Sequence, residues 1–223
     1  MSFDQRIWWL SFAVLLAAGA ALSRVAPAAP AMPGVLPRVI ADWSWLRTNV
    51  AWEARDEARA RAWSEVAIAA APQLDYFRVN AARMRAFDIP AWREAAAPEA
   101  PAAVRVRWRE EAANDALALL LADPEPSAAR LIEAGNISLY AKRDPAAAAE
   151  FYRRAAELPD APWHAGRIYA ELLRQTGRSR EALAWLRAWL PRLPVDDPAA
   201  QCELVHARMV ELERELGSER EAL

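Results

Sequence analysis

Residues Ile132 to Pro159 can be written above Gly166 to Leu193 without a gap, at a constant offset of 34. Leu139 then falls on Leu173, Ala148 on Ala182, Tyr152 on Leu186 and Ala155 on Trp189. Arg143, in the tight turn KRDP, falls on Gly177, in the turn TGRS. Self-similarity at such a period means one supersecondary unit used in series. A single unit of this size cannot bury its own apolar face, so neighbouring copies must stack.

The units are helical. Apolar residues make up 55 % of the 223 residues, much of it alanine, and there are only 6 glycines. A chain rich in Ala, Leu, Glu and Arg favours helix over strand. Alternating Val/Ile runs, the mark of strands, are absent from the sequence. The fold class expected is all-α. The 28 basic and 30 acidic residues leave a formal charge of −2, which gives nucleic-acid binding little electrostatic support.

The repeat resembles the tetratricopeptide pattern. That pattern wants a turn residue, often Gly, between two helices. It then wants a small Ala five residues on, a large apolar residue four later, a small residue three later, and a closing Pro. Gly177, Ala182, Leu186 and Pro194 fit, while Trp189 is large where a small residue is usual. Arg143, Ala148, Tyr152 and Ala155 fit, but Asp160 takes the proline place, with Pro159 beside it. A degenerate copy carries Arg55, Ala60, Ser64, Ala67 and Pro72 in the same relative places. The resemblance is good over 129–194, weaker over 42–72 and absent elsewhere. It implies an antiparallel helix-hairpin solenoid. Between the copies, helices are expected over about 74–87, near Trp92 and over about 104–122. Residues 198–216 read as a capping helix whose outer positions Glu203, Arg208, Glu211 and Arg214 are polar.

The N-terminal end differs in character. Ile7 to Ser23 carries no charge, and its 17 residues would span about 25 Å as a helix, the short end of what a bilayer core requires. Arg6 and Arg24 flank it, and Trp8 and Trp9 sit at one edge. Residues 1–24 are therefore expected to be a single transmembrane anchor. A cleaved signal peptide is the competing reading, since Ala18-Gly19-Ala20 has the small residues of a cleavage site. Residues 25–41, rich in Pro and Ala, read as an extended spacer. Residues 42–126 then form a degenerate helical-repeat region, and 127–223 the clear repeats with their cap. The short N-terminal tail favours an extracytoplasmic, periplasmic placement of the helical part.

Motifs for chemistry are lacking in the sequence. His164 and His206 stand alone, without HExxH or paired cysteines. Cys202, the only cysteine, has no adjacent base, and the glycines are too scattered for a phosphate loop. Carboxylates such as Glu110-Glu111 and Asp196-Asp197 alternate with arginines at helical spacing, the pattern of solvated faces. No catalytic residue, metal or cofactor is expected.

What remains is recognition. The tetratricopeptide resemblance implies that the first helix of each unit lines a concave groove. That register puts Arg130, Glu133, Ile137 and Tyr140 on the groove in one unit, and His164, Arg167, Glu171 and Arg174 in the next. Arginines in that array would suit an acidic protein or peptide; a merely solvated face is the alternative. Trp43, Trp45 and Trp52 form a second cluster close to the spacer. They either fill the core of the first helix pairs or make a juxtamembrane docking surface. The function expected is a membrane-tethered protein-interaction scaffold. The alternative is an accessory subunit packed permanently in a membrane complex.

Overall fold

The computed structural model describes residues 35–221. The expected anchor at 1–24 and most of the spacer lie outside the described residues. Among the described residues the chain is all helical, and no helix is long and apolar enough to cross a membrane.

The order is α1 (Leu36–Glu53), α2 (Glu57–Ala70), α3 (Asp75–Arg83), a π-helical turn (Met84–Asp88), α4 (Ile89–Ala96), α5 (Ala102–Leu120), α6 (Ala128–Tyr140), α7 (Pro145–Ala156), α8 (His164–Gln175), α9 (Ser179–Trp189) and α10 (Cys202–Glu221). Short 3-10 turns at Leu190–Arg192 and Pro198–Ala200 link the last two. From α5 to α10 each helix packs on the next, and α1 packs on α2. In the middle, α3 also touches α5 and α6.

The first helix begins at Leu36, inside the stretch read from sequence as spacer. Pro37 does not prevent this. It occupies the first turn, where its missing N–H would have no intrahelical partner in any case. Pro90 is handled differently. The chain runs through it as continuous helix by widening one turn, with the Ile89 N–H donating to the Met84 carbonyl.

The turns explain the repeat. Arg55, Arg143 and Gly177 have φ of 53°, 56° and 75°, so the same left-handed residue folds α2 onto α1, α7 onto α6 and α9 onto α8. In the first two turns the next residue caps the following helix. Asp56 accepts from the Arg59 N–H and Asp144 from the Ala147 N–H. Five residues beyond each turn lie Ala60, Ala148 and Ala182, all fully buried, which lets the paired helices approach closely.

The core has two textures. The C-terminal cluster holds large side chains, among them Leu131, Tyr152, Leu173, Leu186, Trp189 and Leu212. The α1–α2 seam is built of small ones: Ala41, Ser44, Thr48 and Ala51 on α1, with Ala60, Ser64 and Ala67 on α2, all buried.

Candidate recognition pocket between α8 and α10

Helix α8 is held at its start from two sides. The Trp163 indole N–H donates to Asp197 at 3.1 Å, and the Trp185 indole N–H donates to the Gly166 carbonyl at 2.9 Å. Trp189 lies across Gly166, and Trp185 stacks on Trp189 with ring centroids 5.5 Å apart. This fixes one face of α8 against α9. Another face is turned towards α10, and between them is a cavity of about 290 Å³. Ile168, Leu186, Leu204 and Val205 make its apolar floor and walls, with His164, Arg167, Glu171 and Arg208 as its polar part.

The charges here are unequally satisfied. Glu171 accepts from Arg174 at 2.7 Å and lies 3.6 Å from Arg208. Its carboxyl is held below the usual range, chiefly by the Arg174 hydrogen bond and against the opposing effect of burial. Arg208 also donates to Glu211 at 2.7 Å, and Arg174 lies 3.8 Å from Glu215. Arg167 has no carboxylate partner among the described residues, and its Nε is buried without a hydrogen bond. An unpaired, half-buried guanidinium over an apolar floor is an acceptor site for an anion carried on an apolar chain. Burial, and then the neighbouring Arg167 charge, push the His164 pKa down, which favours the uncharged imidazole.

The other sequence-derived groove positions fare differently. Arg130, 6 % exposed, binds Asp75 at 2.5 Å and lies 3.4 Å from Asp123. Glu133, 2 % exposed, accepts from Arg83 at 2.7 Å. Ile137 is core. In this unit α3 packs on α6, and these three side chains are buried and hold the chain together, while Glu133 also borders a cleft with Arg83, Ile132, Asn136, His164 and Ile168. Tyr140, 68 % exposed, stands apart from them on a separate open cleft of about 650 Å³ with Phe87, Pro90, Val106, Arg109 and Lys142. Of the expected groove positions, Glu133 and His164 line a shared cleft of about 530 Å³ between α6 and α8, His164, Arg167 and Glu171 line the α8–α10 pocket, and Arg174 reaches the pocket only through its pair with Glu171.

Arg208, one of the polar cap positions expected to face outward, lines the pocket instead. Its spacing from Leu204 and Val205 on α10 was the available signal, but nothing in the sequence said that α10 would close over α8. Cys202 is half-buried, its Sγ 3.9 Å from the Pro194 carbonyl. Among the described residues no group of three His, Cys, Asp or Glu side chains is placed to hold a metal ion.

The aromatic cluster is split. Trp45 packs among Tyr76 and Phe77, with centroids 5.8 and 5.7 Å away. Trp43 and Trp52 are exposed, and Trp43 meets the edge of Trp63 at 5.1 Å. No protein-family model matches the chain, and no curated protein is significantly similar to it.

Proposed function

We propose that the chain is a membrane-tethered scaffold of the tetratricopeptide type, which holds an acidic partner protein through the α8–α10 pocket. The observation that carries the reading is Arg167. Its neighbours Arg174 and Arg208 are paired with carboxylates, and Arg167 has none among the described residues. A cation left half-buried without a partner carries a desolvation cost that an incoming carboxylate would remove. The apolar floor beneath it would select an acidic residue next to a Leu- or Ile-like one.

The solenoid reading is supported by the recurring left-handed turn residue and by the buried alanine five residues after it. The tether is supported by the uncharged Ile7–Ser23 stretch. An anchor would raise the local concentration of whatever the pocket holds. No catalytic role is assigned. The pocket offers a cation and a histidine, without a nucleophile placed beside a base.

The test is charge reversal. Arg167→Glu should abolish capture of the membrane-extracted partner while circular dichroism and the thermal midpoint stay near wild type, and capture by the wild-type chain should weaken as salt rises. Capture that is unchanged in Arg167→Glu removes the pocket as the binding site.

A further inference from the structure

Helix α1 distributes its side chains in an unusual way. Its seam with α2 is made of Ala41, Ser44, Thr48 and Ala51, while Leu36, Val39, Ile40, Trp43, Leu46 and Val50 are all exposed. Trp43 keeps 52 % and Leu46 62 % of its surface open. At about 100° per residue these six positions fall within an arc of roughly 120°. The apolar stripe therefore runs the length of the helix, on a flank whose one ring contact among the described residues is that of Trp43 with the edge of Trp63. A helix stabilised only by burial within this domain would have its large apolar residues in the seam and small or polar ones outside. Small residues between helices with bulky apolar ones outward is the arrangement suited to a surrounding that is itself apolar.

We infer that the outer face of α1 lies in the boundary between lipid headgroups and acyl chains, so that the domain is docked on the bilayer and not merely tethered near it. This deepens the proposed function and rests on its reading of residues 1–24 as an anchor. Three observations favour lipid as the occupant. The stripe starts at Leu36, within the Pro/Ala-rich stretch that follows the uncharged segment. The 11 residues 25–35 between the uncharged segment and α1 can span at most about 40 Å, so a membrane that held that segment would lie within reach of α1. The stripe also carries a tryptophan and, at its edge, Arg47, whose guanidinium lies 5.9 Å from the Trp43 ring and 5.9 Å from the Trp63 ring. Indole with a long cationic side chain is the pairing suited to a water–hydrocarbon boundary. Third, α1 is not apolar enough to cross the bilayer, and its Arg38–Asp42 pair, 3.1 Å apart, stays in water on the adjoining flank.

The experiment uses the full chain with Cys202→Ser, reconstituted into phosphatidylcholine vesicles that contain doxyl-labelled lipid. A single environment-sensitive fluorophore is placed at Leu46→Cys or, as the control on exposed α9 surface, at Arg180→Cys. Flotation of the vesicles reports the anchor and quenching of the probe reports the docking. The expected result is a blue-shifted Leu46 probe quenched severalfold more than the Arg180 probe, with the difference lost in a Trp43→Asp variant that still floats. A chain that floats while its Leu46 probe is as wet as the control overturns the docking and leaves the anchor standing. Shielding of the Leu46 probe by a second copy of the chain or by another protein, without lipid quenching, also overturns it. A chain that does not float overturns both.

Discussion

The Gly166 backbone lies directly under the Trp189 indole, so that a methyl group on its Cα would come within 2.4 Å of the ring carbon Cε2. A glycine inside a helix ordinarily costs about 1 kcal/mol relative to alanine. Here it is the condition for burying the largest side chain of the unit. The preceding unit shows the same relation in another register, where a Cβ on Gly135 would meet the Tyr152 ring at 2.7 Å. In these two units the first helix has one glycine, and each glycine receives one ring.

Gly166→Ala should therefore destabilise the domain by about 1–3 kcal/mol, the usual range for overpacking. In a Trp189→Ala background the same substitution should become neutral or mildly stabilising, because the ring is gone and only helix propensity remains. Denaturant unfolding of the four chains of this cycle measures it. Equal destabilisation in both backgrounds would show that the contact is not the cause.

The left-handed turns make a second prediction. Arg55 and Arg143 adopt a backbone conformation that costs an L-residue about 1–2 kcal/mol, and neither side chain forms an ion pair among the described residues. Arg143→Gly and Arg55→Gly should each raise the thermal midpoint. Gly177→Ala should lower it, although no atom lies within 4 Å of the added Cβ, so that the strain is in the backbone alone.

Arg130 and Glu133 should behave as structural residues. Arg130→Ala removes a buried guanidinium from Asp75 and Asp123 and should cost about 1–3 kcal/mol, less than a fully buried pair because both carboxylates left behind still meet water. Partner capture by whatever remains folded should be unchanged. Loss of capture at full stability would restore α6 to the binding surface.

Tyr152 gives a pH dependence. Its hydroxyl donates to Asn136 at 2.7 Å, and burial first, then Tyr140 and Glu133, push its pKa up to about 12 from an ordinary value of 10.0. In the unfolded chain the phenol ionises near its ordinary value, while the folded state keeps its proton. Stability is thus fully present below pH 10 and falls as pH rises from about 10 to about 12, by roughly 2–3 kcal/mol from this one group. Tyr152→Phe should flatten that alkaline slope in unfolding measured against pH.

Much of the fold is legible in the sequence because the repeat is enforced by backbone geometry. Arg143 falls on Gly177 since both sit at a left-handed turn, and Ala148 falls on Ala182 since both lie where two helices touch. Trp189, which departs from the small residue usual at its place, makes sense only beside Gly166, a compensation across two helices that no local pattern displays. The site was less legible. The alternation of charge on α6 and α8 looks alike in sequence, yet Arg130 and Glu133 are covered by α3, while Arg167 faces the gap before α10. The sequence does not show that the irregular stretch from Asp75 onward packs back on α6. Nor does it show that the large residues of α1 face outward, because amphipathic spacing reveals a stripe without saying what covers it.

The claim on which the rest turns is that a partner sits in the α8–α10 pocket against Arg167. Leu204, exposed on the wall of that pocket, is the place to ask. A photo-crosslinking residue at Leu204 in the full chain, in membranes of the native host, should give one adduct with an acidic protein. That adduct should vanish when Arg167→Glu is added, with the same probe at Tyr140 giving none. Adducts at Tyr140 and none at Leu204, or a Leu204 adduct indifferent to Arg167→Glu, would contradict the account.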